Sequence, residues 1–113
     1  MARADLVARL AAALLGLGMA SMAHAPLSAG ETVRVRIENF AFSPATVTVK
    51  AGTVVTFEND DDAPHVVVAT DGSFRSGALD TGGAYSFTFT KPGDFPYFCS
   101  LHPHMQGTIT VAP

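Results

Sequence analysis

From Thr32 to Ala112 the chain is written in short runs, with apolar residues at alternate positions and turn residues between the runs. Period two is the signature of a strand with one face buried; a helix would show a period of 3.6. Val33, Val35 and Ile37 share one face of the first run, and Val47 and Val49 share one face of the next. Ala51-Gly52 reads as a turn, after which Thr53 to Glu58 returns as a β-branched and aromatic strand. His65 to Thr70, Tyr85 to Thr90, Phe95 to Cys99 and Thr108 to Ala112 complete the set. Asn39 to Pro44 reads as a connector, Asn59 to Pro64 as a polar loop, and residues 71–83 as turns with at most a short edge strand. Lys91-Pro92-Gly93-Asp94 places Pro and Gly where a tight turn favours them. Turns about eight to twelve residues apart between such strands argue for an all-β fold, a two-sheet sandwich with loops gathered at its ends.

The 113 residues suffice for one domain, and 48% are apolar, enough for a packed core. The first 25 residues differ from the rest. Arg3 and Arg9 precede an apolar run from Leu10 to Ala20, and Ala23-His24-Ala25 has the small-x-small form of a cleavage site. Residues 1–25 are therefore expected to be a secretory signal peptide, with the cut falling between residues 23 and 29, and 26–113 the working domain. The run is short for a membrane span, so the mature form is expected to have none. Beyond Ala25, five basic residues stand against nine acidic ones, a net charge of −4 that offers no footprint for nucleic acid.

Export leads to an oxidising compartment, where cysteines usually pair. Cys99 is the only cysteine and has no partner in the chain. It is either a small buried apolar residue or a metal thiolate. The residues after it favour the second. Cys99-Ser100-Leu101-His102-Pro103-His104-Met105 sets a thiolate, an imidazole and a thioether at positions 0, +3 and +6 of one loop between two strands. His65 opens its own strand after Pro64, where a sandwich can bring it to the same end. Two imidazoles and a thiolate with a weak axial Met make a blue-copper electron-transfer site. His104 is expected to be exposed and outside this set. Asp60-Asp61-Asp62 reads as a solvated loop, with docking of basic partners as its alternative role.

His65 after Pro64, the spacing Cys99-x-x-His102-x-x-Met105, and the segments Asn39 to Pro44, Val49 to Gly52 and Tyr97 to Cys99 resemble the small blue-copper cupredoxins. The two-residue gaps around His102 are more similar to the amicyanin branch than to the plastocyanin branch. The resemblance covers residues 32 to 112. It implies a Greek-key sandwich of about eight strands, one copper ion cycling between Cu(I) and Cu(II), and a monomer in the periplasm. It also implies partners that are redox proteins, with an amine dehydrogenase as donor and a c-type cytochrome as acceptor. In the family the His102 ring edge reaches solvent through an apolar patch where electrons pass; Pro103 and Leu101, with Pro64 or Phe42, are expected around it.

Two departures carry expectations. Val66 stands where that branch often has Asn, so a side-chain tie between the ligand loops is absent, though the Val66 N–H can still reach the Cys99 sulfur. Leu101 stands where Pro is common, and a second N–H···S bond is expected from it. Among other functions, a multicopper oxidase would need histidines beside the cysteine, where Phe98 and Ser100 stand. A binuclear copper centre would need a second cysteine. The chain alone is therefore not expected to be an enzyme. The rival to an electron shuttle is a periplasmic copper-binding, storage or delivery protein that uses the same four ligands.

Overall fold

The computed structural model describes residues 32–113; the expected signal segment lies outside them. Eight strands follow one another: β1 (Thr32–Glu38), β2 (Ala41–Ser43), β3 (Thr46–Lys50), β4 (Thr53–Asn59), β5 (Val67–Ala69), β6 (Ala84–Phe89), β7 (Gly93–Cys99) and β8 (Gln106–Ala112). They form two four-stranded sheets, in the orders β2-β1-β4-β6 and β3-β8-β7-β5. β1 and β4 pair in parallel, as do β3 and β8, and the other neighbours are antiparallel. Only β1–β2 and β7–β8 are sequential neighbours in one sheet; every other connection crosses the sandwich. This is the expected Greek-key two-sheet sandwich.

Alternation places the core. In β4 the side chains of Thr53, Val55, Phe57 and Asn59 are buried, while those between them are half-exposed. Val35 and Ile37 in β1, Phe89 in β6, Val49 in β3, Tyr97 and Cys99 in β7, and Ile109 and Val111 in β8 meet them from both sheets. Burying such side chains contributes about 1.5–3 kcal/mol each, before entropy is counted against it.

Three segments differ from the sequence reading. Ala41–Ser43, expected within a connector, forms a short edge strand on β1, with Ile37 opposite Phe42. The strand expected from His65 to Thr70 is regular only over Val67–Ala69; His65 instead makes an isolated bridge to Leu79. Residues 71–83 contribute that bridge and a second one, Arg75 to Val68, rather than an edge strand.

Candidate metal centre

One end of the sandwich gathers the chemistry. Cys99 is the last residue of β7, paired with Val67 across the sheet. The loop from Ser100 to Met105 folds back on itself through Cys99 N–H to Met105 O (3.1 Å), His102 N–H to Cys99 O (3.2 Å) and Met105 N–H to His102 O (2.9 Å). Ser100 N–H ties the loop to Val66 O at 3.2 Å. On the other side, His65 is held to Leu79 by backbone bonds of 3.1 and 2.8 Å. The two segments therefore arrive with fixed backbones.

His65, Cys99 and His102 bring one donor atom each to within 4.8 Å of one another. Cys99 Sγ lies 3.5 Å from His65 Nδ1 and 3.6 Å from His102 Nδ1. An ion bonded at about 2.0 Å to nitrogen and 2.3 Å to sulfur holds such atoms about 3.5–3.8 Å apart, so the spacing fits a metal at their centre. His65 and Cys99 are fully buried and His102 is half-buried. Met105 is buried at the end of the same loop, within the core cluster. Val66 N–H points at Cys99 Sγ at 3.5 Å, as the sequence allowed. The second N–H···S bond expected from Leu101 is not formed. The turn commits the N–H groups on either side of Leu101 to carbonyls, and Leu101 itself lies out at the surface, 52% exposed.

His104 is exposed, its ring 6.5 Å from that of His102, and it is not part of the cluster. Phe42, named with Pro64 as an alternative beside His102, is instead buried in the core with its ring 4.7 Å from Tyr97. Its place is taken by Phe40, whose ring meets the rings of His102 at 5.0 Å and His65 at 5.4 Å, both edge to face. The sequence reading missed this residue because strand alternation puts Phe42 inward and leaves Phe40 without a face.

Asp61 was missed too. His65 Nε2 lies 2.9 Å from Asp61 Oδ2. A carboxylate only accepts, so Nε2 carries the hydrogen and Nδ1 is left with a free lone pair toward Cys99. Asp61 also accepts from the N–H groups of Asn39 (2.6 Å) and Phe40 (2.9 Å). Burial pushes its carboxyl up, but the bonds from Phe40, His65 and Asn39 outweigh that and hold it below the ordinary aspartate value. A run of three Asp gives no hint of which one turns inward; the Asp at four residues before a candidate ligand was the available signal.

The family model described as a cupredoxin-like domain matches residues 9–111. The match takes in part of the segment read as a signal. The chain belongs to the cupredoxin-like family. It is 34% identical over 110 residues to amicyanin-alpha of Methylorubrum extorquens, covering 88% of this chain and 86% of that one. It is 35% identical over 86 residues to amicyanin of Paracoccus versutus, covering 72% of this chain and 65% of that one. Among solved structures, a copper-containing nitrite reductase from Thermus scotoductus superimposes with a TM-score of 0.68 at 34% identity; the match covers 79% of this chain and only 23% of that one. The resemblance drawn from the ligand spacing, the all-β sandwich and the copper expected from both are borne out together.

Proposed function

We propose that this cupredoxin-like chain is an exported carrier of single electrons, with one copper ion held by His65, Cys99, His102 and the axial Met105. The observation that carries the reading is the triangle of Cys99 Sγ and two Nδ1 atoms, spaced for a metal on segments that backbone bonds tie together. Copper supplies a one-electron couple: thiolate and thioether suit Cu(I), while imidazole suits both oxidation states. The protein's part is to hold the donors still. Ser100 N–H on Val66 O and the three bonds within the loop fix Cys99, His102 and Met105 relative to β5. Val66 N–H draws charge from the sulfur, which favours the reduced state. Small movement on redox change is what a fast shuttle needs.

His102 is the half-exposed ligand, flanked by Phe40 at 45% and Leu101 at 52% exposure. This edge supports electron passage to a docked protein. Likeness to amicyanins supports an amine dehydrogenase donor, a c-type cytochrome acceptor and a periplasmic location. The carrier reading is favoured over an enzyme because Phe98 and Ser100, not histidines, flank Cys99. The one enzyme match reported above spans less than a quarter of that enzyme's chain.

The test is a visible spectrum of the purified exported protein with Cu(II), titrated with ascorbate and reoxidised. An intense blue thiolate-to-copper band that bleaches and returns supports the reading. A pale band, or copper surrendered readily to a competing chelator, would replace it with copper storage or delivery.

A further inference from the structure

We propose that Asp61 is the positioning residue of this site: one carboxylate that sets both the His65 imidazole and the Phe40 ring that covers the two histidines. The inference rests on the copper reading for its redox consequence, but the clamp itself is built from contacts of the protein alone.

Asp61 is fixed from its own main chain. Its N–H donates to Asn59 Oδ1 at 2.8 Å, and its carbonyl accepts from Thr81 Oγ1. Asn59, fully buried, is fastened in turn to Ala63 O at 2.9 Å and Leu79 O at 2.8 Å. Leu79 is the residue that bridges His65. The carboxylate projecting from this frame meets three donors. Oδ1 takes Asn39 N–H, and Oδ2 takes both Phe40 N–H and His65 Nε2–H. The Asp61 side chain is only 12% exposed and that of His65 not at all.

The β1–β2 turn explains why the anion is needed. Asn39 and Phe40 both have positive φ, 51° and 56°. Asn tolerates that conformation; a bulky residue such as Phe adopts it only when the surroundings hold it there. Two successive N–H groups in such a turn converge, and a concave pair of this kind binds an anion. Here the anion is the side chain of Asp61. The strained turn lays the Phe40 ring edge to face on His65 and His102, with its outer side still open to solvent. Outer partners of a metal-ligating His fix its tautomer and orientation and raise its basicity. Asp61 does this for His65, and through the same oxygen it places the aromatic cover over His102. A negative charge on the His65 side stabilises the more positive oxidation state.

The experiment compares Asp61→Asn, nearly the same shape with one acceptor and no charge, with Asp62→Asn, which removes an exposed charge next door and no bond to the site. In copper-free protein, 15N NMR of the imidazoles should show His65 held as the Nε2–H tautomer in wild type and Asp62→Asn. Asp61→Asn should show mixed tautomers, with Asn39 and Phe40 amide resonances displaced. In copper-loaded protein, the potential of Asp61→Asn should rise by more than that of Asp62→Asn, with a shifted thiolate-to-copper band. An unchanged His65 tautomer in Asp61→Asn, or equal potential shifts in the two variants, overturns the proposal. Should Asp61→Asn not fold, Phe40→Ala in copper-free protein decides the same point: it should leave the His65 tautomer and the Asn39 amide as in wild type, because the carboxylate and not the ring sets them, and their loss overturns the assignment. Absence of a blue band in the wild type would undo the electron-carrier reading while leaving the tautomer test intact.

Discussion

Tyr97 sets a polar atom in an apolar part of the core. It is 1% exposed and packs edge-on against Phe42 at 4.7 Å and Phe57 at 5.2 Å. Its hydroxyl has no protein hydrogen-bond partner. Burial pushes the phenol well above its usual value, since a phenolate there would lose its hydration. The folded value stands above the unfolded one, so the stability this group contributes is complete below about pH 10 and is lost as pH rises further. Tyr97→Phe should therefore leave stability at neutral pH unchanged or raise it by about 1 kcal/mol, and extend the folded range at alkaline pH. Urea unfolding at both pH values checks this; a large neutral-pH loss would show the hydroxyl to be satisfied after all. The same ring occupies the space above Gly107, where a Cβ would collide with the Tyr97 hydroxyl and stand 2.9 Å from Ala45 O. At this scale the proposed ligands were legible in the sequence as candidates, and their supports were not. Cys99, His102 and Met105 share one loop, so spacing alone announced them. Asp61 and Phe40 act through a turn of unusual backbone and a carboxylate from a distant loop, and no short-range pattern marks that meeting.

At the scale of elements, β5 is the weak member on which the site depends. It is three residues long and has one ladder partner, β7. Its outer edge is closed by a side chain: Val67 N–H donates to Ser76 Oγ at 2.8 Å, and Ser76 Oγ–H donates to Gly77 O at 2.7 Å. Ser76 N–H returns to Val67 O at 2.8 Å, and Ser76 is buried. A continuous strand was expected here because Val66, Val67 and Val68 read as one. The hydroxyl stand-in for a ladder bond was not legible, since Ser in a Gly-rich stretch reads as turn. Ser76→Ala leaves a buried N–H without a partner, at a cost of about 1–3 kcal/mol. Because Val67 pairs directly with Cys99, the loss should also reach the site. The expected outcome is a lower unfolding midpoint together with faster amide exchange at Val67. Unchanged exchange at Val67 would mean that β7 alone holds the strand.

At the scale of the whole molecule, most of what folds the chain lies away from the site. The core joins both sheets through residues such as Val35, Phe57, Phe89 and Ile109, and reaches the proposed ligands at Cys99 and Met105. The site sits at one end, its loop closed by bonds within the protein. This arrangement predicts a folded copper-free protein, unlike small domains whose core is too thin to hold without metal. Copper bound only by the native state adds stability by mass action, about 2.7 kcal/mol at a free concentration 100 times its Kd. Removing copper should therefore leave the β-sheet circular dichroism in place and lower Tm, and adding it back should restore Tm. Cys99→Ser should show nearly the copper-free Tm whether or not copper is supplied, because the thiolate is the soft donor of the set. Loss of sheet structure on copper removal would mean that the loop bonds between Cys99, His102 and Met105 form only around the ion. The donors would then be assembled by the metal rather than waiting for it, and the small rearrangement expected of a fast shuttle would lose its structural basis.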